Sequence, residues 1–152
     1  MAGNNGVQRF LLDLQNRVYE NCRHASGADI SMKVLIIDDE EDTRSIAAMS
    51  LNILGGLDVV EAENGKVGVE KAAAEQPDCI LLDCTMPVMD GESTLAELLT
   101  NEHTKGIPVI FLTAKAMTSE IERLKRLGAI GVLTKPFDPT ALAGQVKALL
   151  GR

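Results

Sequence analysis

From residue 33 onward the chain alternates two kinds of apolar pattern. Unbroken aliphatic runs at 33–37, 79–82, 109–112 and 131–134, with a weaker one at 58–62, predict strands covered on both faces. Between them apolar residues recur every three or four positions, as Ile46, Ala47, Leu51 and Leu54 do. That spacing predicts helices over 43–54, 66–75, 92–100 and 119–127. Gly55-Gly56 stops the first helix, Asn64-Gly65 makes a turn, and Pro77 closes the second helix. A loop at 84–91 carries Pro87 and Gly91. Ser119 is the expected cap of the fourth helix, with Ile121, Leu124 and Leu127 as its apolar stripe and Gly128 as its exit. Asp138-Pro139 supplies an N-cap and first-turn proline for a last helix to about residue 150.

Five strands alternating with five helices predict an α/β fold, a doubly wound five-stranded parallel sheet with helices on both faces. Right-handed crossovers leave few topologies, of which the flavodoxin-like order 2-1-3-4-5 is the natural one. Residues 32–152 would form this domain, and residues 1–31 a flexible extension. Within the extension Val7, Phe10, Leu11, Leu14 and Val18 fall at helical spacing, giving a short amphipathic helix that is marginal alone. It would be either a partner helix or an extension that frays, since Met32-Lys33 is itself a sensible start.

Each main strand run ends in a residue suited to phosphoryl chemistry. The first runs into Asp38-Asp39, the third into Asp83, the fourth into Thr113 and the fifth into Lys135-Pro136. In an open α/β sheet the carboxyl ends of the strands converge on one crevice, so these groups should meet there. Adjacent residues of an extended strand point to opposite faces, but where the backbone turns Asp38 and Asp39 can both face the crevice. Crowded carboxylates call for a cation, and hard oxygen ligands suit Mg²⁺ better than zinc. Asp83, at the end of the central strand, can attack phosphorus as a nucleophile, with Lys135 and the Thr113 hydroxyl placed to steady the phosphoryl oxygens.

Composition narrows the class. The 152 residues are 45% hydrophobic and 24% charged, ordinary for a globular protein, and only 3% aromatic without Trp, so the core must be aliphatic. The net charge of −7 argues against direct nucleic-acid binding, and no apolar stretch approaches the ~18 residues of a membrane span. Cys22, Cys79 and Cys84 have neither metal-ligand spacing nor an even count, and reduced thiols point to a cytoplasmic setting. Cys79 should pack as a small hydrophobe, and Cys84, beside Asp83, is a weak candidate for an accessible thiol whose reactivity would need a lowered pKa. Gly65-Lys66-Val67-Gly68 lacks the spacing of a phosphate-cradling loop, and His24 and His103 sit in polar surroundings.

Four stretches in order then carry a resemblance: Val34-Leu35-Ile36-Ile37-Asp38-Asp39-Glu40, Leu81-Leu82-Asp83-Cys84-Thr85-Met86-Pro87-Val88-Met89-Asp90-Gly91, Phe111-Leu112-Thr113-Ala114 and Lys135-Pro136-Phe137. The chain resembles the receiver domain of two-component response regulators. The resemblance implies that Asp83 accepts phosphate from a phosphohistidine on a sensor histidine kinase or a histidine phosphotransfer protein. It implies Mg²⁺ held by Asp38, Asp39, Asp83 and the main-chain carbonyl of Thr85. Thr113 and Lys135 would contact the phosphoryl group, with Lys135-Pro136 cis, and Thr85 and Lys115 would flank the site and tune self-dephosphorylation.

Two positions depart from the family's usual pattern. Val132 stands where many members carry a switching aromatic, and a β-branched side chain sweeps little volume, so the loop after Thr113 and the fourth helix must report activation. Ile130 lies where DNA-binding members often carry charge, which makes a salt-bridged dimer doubtful. With the chain closing at Arg152, output is expected through binding, on the helix 4–strand 5–helix 5 face including Ile121, Leu133 and Lys147. Two alternatives compete: a constitutive scaffold and the receiver fragment of a longer regulator. An Mg²⁺-dependent phosphohydrolase is disfavoured, because the acid expected two positions after its nucleophile is here Thr85. The expected role is phosphoacceptor, not enzyme.

Overall fold

A computed structural model describes residues 32–86, 89–115 and 117–151. The expectations for residues 1–31 lie outside them. The strands are β1 (Lys33–Ile37), β2 (Asp58–Ala62), β3 (Cys79–Asp83), β4 (Val109–Thr113) and β5 (Gly131–Thr134). The helices are α1 (Glu41–Met49, continuing as a wider turn over Ser50–Leu54), α2 (Gly65–Glu75), α3 (Gly91–Thr100), α4 (Thr118–Leu127) and α5 (Leu142–Leu149). All strand pairs are parallel, in the order β2-β1-β3-β4-β5. The doubly wound fold is the one the hydrophobic pattern predicts, and the strand order is the natural candidate among those that right-handed crossovers allow.

The aliphatic runs form strands because both sheet faces are covered. Side chains alternate across a strand, so each run feeds two cores. Val34, Ile36, Leu81, Ile110, Leu112 and Leu133 pack with Ala47, Leu51, Leu142 and Val146 of α1 and α5. Leu35, Ile37, Ile80, Leu82 and Phe111 pack on the other face with Ala72, Leu95, Leu98 and Leu124 of α2, α3 and α4. β3 and β4 are buried end to end, whereas the edge strand β2 leaves Asp58 and Glu61 exposed. Cys79 is a fully buried part of the first core, its thiol pushed up to about 12 chiefly by burial.

Several boundaries differ from expectation. β3 and β4 each run one residue further, so Asp83 and Thr113 are the last strand residues rather than the first loop residues. The first helix begins at Glu41 and loosens before its end, where Gly55 N–H reaches back to Ser50 O and Leu57 N–H to Leu51 O. Ser119 does not cap the fourth helix; it lies inside the first turn, with Met117 at the cap position. Asp138 does not start α5 directly. Its Oδ1 accepts the Thr140 N–H and hydroxyl, and its carbonyl accepts from Ala141 and Leu142, so a turn at 138–141 precedes the helix. Asn64 and Asp90 cap α2 and α3, accepting from Val67 N–H at 2.8 Å and Ser93 N–H at 2.7 Å. Among the described residues no helix is long and apolar enough to cross a membrane.

Gly91 and Gly144 make opposite demands on a side chain. A Cβ at Gly91 would lie 2.5 Å from Asp83 O and 2.8 Å from Cys84 Cα, backbone atoms that cannot swing aside. A Cβ at exposed Gly144, within α5, meets nothing within 4 Å. Gly91→Ala should therefore destabilise by about 1–3 kcal/mol through overpacking, whereas Gly144→Ala should stabilise by about 0.5–1 kcal/mol through helix propensity. Urea unfolding midpoints check both signs.

Candidate functional site

The register levels the strand ends. Ile37 pairs with Leu82 and Asp83 with Leu112, so Asp38 and Asp83 leave neighbouring strands at one height. Thr113 pairs with Thr134, which places Lys135 one step beyond. Parity matters as well. Asp38 continues the Val34–Ile36 alternation, Asp83 the Cys79–Leu81 alternation, and Lys135 that of Leu133, all on the α1/α5 side.

These three groups accordingly touch. Lys135 Nζ donates to Asp38 Oδ2 at 3.0 Å and stands 3.2 Å from Asp83 Oδ1. One carboxylate oxygen from each of Asp38, Asp39 and Asp83 lies within 4.8 Å of the other two. Asp38 is 0% exposed and Asp83 5%, while Asp39 is exposed at the mouth. Every polar handle of Asp38 is engaged. Oδ1 accepts the Glu40 N–H at 2.9 Å, its N–H donates to Ala62 O at 3.1 Å, and its carbonyl accepts from Arg44 Nη1 at 2.7 Å.

Thr85 is exposed beside them, and its N–H donates to Asp83 Oδ1 at 3.3 Å. Thr113 Oγ1 accepts the Lys115 N–H at 3.1 Å, and Thr113 O accepts the Lys135 N–H at 2.8 Å across the β4–β5 pair. A hydroxyl both donates and accepts, so the Thr113 O–H can serve a further oxygen. The Lys135–Pro136 peptide is cis. A cleft of about 420 Å³ opens beside Lys135, lined by Glu40, Thr43, Ile46, Pro136 and Phe137.

The electrostatics follow from crowding in a buried place. Burial first, and then the Asp38 charge, push the Asp83 carboxyl up to about 6; Lys135 and the Thr85 N–H only partly offset them. Burial alone would lower the Lys135 ammonium, but Asp38 and Asp83 outweigh it and hold it above its usual range. Three oxygen-bearing acids with one open side fit a hard divalent cation such as Mg²⁺, and no soft ligand competes in the cluster.

Elsewhere the structure corrects the surface expectation. Leu133 is buried in the first core, and Lys147 Nζ donates to Gly55 O at 3.1 Å, so neither is free on the expected binding face. Ile121 is partly exposed there. Val132 packs against the second core, and Ile130 is 39% exposed. Arg123 ties α4 to α3, pairing with Glu92 and, at 2.5 Å, with Glu120. Cys84 is half-buried, its thiol raised by burial and by Glu92, Glu120 and Asp83, which opposes reactivity. Sequence reasoning missed Arg44; its only signal was a basic residue one helical turn and a half beyond two acids.

The model of the response regulator receiver domain matches residues 34–147. The chain is 36% identical to protein PilH of Pseudomonas aeruginosa over 118 residues, covering 78% of this chain and 97% of that one. It is 34% identical to the alkaline phosphatase synthesis transcriptional regulatory protein PhoP of Bacillus subtilis, over 81% of this chain and 50% of that one. It thus spans half of that relative, and 31% of a Vibrio cholerae protein named as a probable cyclic di-GMP phosphodiesterase. The structure of chemotaxis protein CheY4 of Vibrio cholerae superposes with a TM-score of 0.73 at 29% identity, covering 79% of this chain and 99% of that one.

The Asp83 environment has a pH signature. Ionising this carboxyl costs more in the folded than in the unfolded chain, so the penalty is absent below 3.8 and complete above about 6. In EDTA, the stability of wild type relative to Asp83→Asn should fall as pH rises through that window, and excess Mg²⁺ should reverse the fall. Urea denaturation at a series of pH values checks this; a difference that stays flat or rises contradicts it.

Proposed function

The chain belongs to the response regulator receiver domain family, and from that premise we propose that Asp83 is the phosphoacceptor of a two-component phosphorelay. Receiver domains are phosphoacceptors. The donor is a phosphohistidine on a sensor histidine kinase or a histidine phosphotransfer protein, and the phosphorylated form changes which proteins the domain binds. The observation that carries this reading is the Lys135 ammonium bridging Asp38 and Asp83 at 3.0 and 3.2 Å, with Asp39 beside them.

An Asp83 carboxylate oxygen attacks the phosphorus, and the new P–O bond forms as the P–N bond to the donor imidazole breaks. The electron pair of the broken bond stays on the ring nitrogen. Little covalent help is needed; positioning and charge do the rest. Asp38, Asp39, Asp83 and the Thr85 carbonyl would hold Mg²⁺, which when bound supplies positive charge against the phosphoryl oxygens. Lys135 holds a second positive charge at the same oxygens, and the Thr113 O–H donates to one of them. The cleft beside Lys135 gives a donor side chain room to approach. Self-dephosphorylation is slow, and no turnover of unrelated phosphomonoesters is expected.

The downstream partner meets the α4–β5–α5 face, where Ile121 is partly exposed. One observation favours a second reading, a constitutive scaffold: Val132, partly buried against the second core, offers no aromatic to swing.

Acetyl phosphate with Mg²⁺ should add one phosphoryl group to wild type, read by intact-protein mass spectrometry. EDTA or Asp83→Asn should abolish the gain. Equal phosphorylation of the Asp83→Asn variant would refute the assignment.

A further inference from the structure

Strand parity explains why Asp38, Asp83 and Lys135 meet, but it points Asp39 to the opposite face of the sheet. Yet an Asp39 oxygen lies within 4.8 Å of oxygens of both other acids. The backbone must turn between residues 38 and 39, and something must hold the turn. The Asp38 carbonyl belongs to the peptide plane whose far end is Asp39 Cα, so fixing that oxygen fixes where the Asp39 side chain begins.

Arg44 fixes it. Its Nη1 donates to Asp38 O at 2.7 Å, and its Nε pairs with Glu61 Oε1 of β2 at 3.2 Å. The Arg44 side chain is only 15% exposed. The guanidinium is a planar fork, so with one prong on β2 its other prong is directed at the carbonyl. The Asp38 N–H is bonded to Ala62 O on the same strand. Both backbone polar groups of Asp38 are thus referred to β2, the N–H directly and the carbonyl through Arg44.

We infer that Arg44 is a positioning residue: by holding the Asp38 carbonyl it turns Asp39 into the acidic crevice and sets the site's affinity for a divalent cation. The inference rests on the phosphoacceptor reading of that crevice and concerns a residue which contacts neither cation nor phosphoryl group. Outer-shell partners of this kind commonly set metal affinity by an order of magnitude or more.

Calorimetric titration of Mg²⁺ into the full chain tests it, beside thermal melts in EDTA. Arg44→Met keeps the aliphatic stem and should weaken Mg²⁺ binding at least about tenfold, while Arg44→Lys recovers part of the loss. Lys71→Met is the control, because Lys71 Nζ donates to Glu61 O at 2.5 Å on the same edge without reaching Asp38. It should shift melting but leave Mg²⁺ affinity alone. Should Arg44→Met fail to fold, Glu61→Gln, which frees the guanidinium from β2, must lose affinity in the same direction. Unchanged affinity in the Arg44 variants, or an equal loss in Lys71→Met, would overturn the inference. Wild type that binds no Mg²⁺ would overturn the phosphoacceptor reading first, and this inference with it.

Discussion

Buried carboxylates crowded at the end of a parallel sheet are the constraint to which the rest of this structure answers. Asp38 and Asp83 approach within 4.8 Å with almost no exposure. At an effective dielectric constant of 20, two unit charges at that distance repel by roughly 3.5 kcal/mol. The Lys135 ammonium, about 3 Å from each, gains roughly 5 kcal/mol per contact on the same scale and so offsets the pair. Asp39 adds a third negative charge that Lys135 does not touch, and an incoming phosphoryl group would add more. The pocket is therefore balanced only with further positive charge. That imbalance is what suits it to take up a divalent cation and to carry a group whose charge develops during transfer.

The fold delivers this crowding through period and register rather than through local sequence. Parallel pairing aligns the ends of β1 and β3, and the alternation of side chains sends Asp38, Asp83 and Lys135 to one side. The same alternation fills two aliphatic cores, so sliding β1, β3 or β5 by one residue would break the site and both cores together. Gly91 and the Asp90 cap hold the start of α3 against the end of β3. Arg44 and Glu61 tie the β1–α1 turn to the edge strand. The groups that hold the site are thus far more local than those that form it.

Much of this was legible in the chain. Aliphatic runs of four or five residues read as doubly covered strands, and their terminal residues as a converging set, because both signals are periodic and need no knowledge of tertiary contacts. What was not legible depends on partners distant in sequence. Leu133 reads as a surface residue until β5 is placed over α5. Lys147 reads as a free cation until Gly55 O is seen within 3.1 Å. Ser119 and Asp138 each have cap chemistry, but Met117 holds the start of α4 and the Thr140 hydroxyl diverts Asp138 into a turn. Arg44 left only a faint signal, because its bond to Asp38 depends on the direction of one backbone carbonyl.

The account stands on a single oxygen-to-phosphorus bond at Asp83. Borohydride reduces an aspartyl phosphate and leaves a free aspartate untouched, so reduction after exposure to a phosphodonor marks the carrying residue. Peptide mass mapping of the reduced protein should find the modification at position 83 and at none of the neighbouring acids, Asp38 and Asp39 included. Reduction at another residue, or phosphate that resists borohydride on a serine or threonine, would contradict the account.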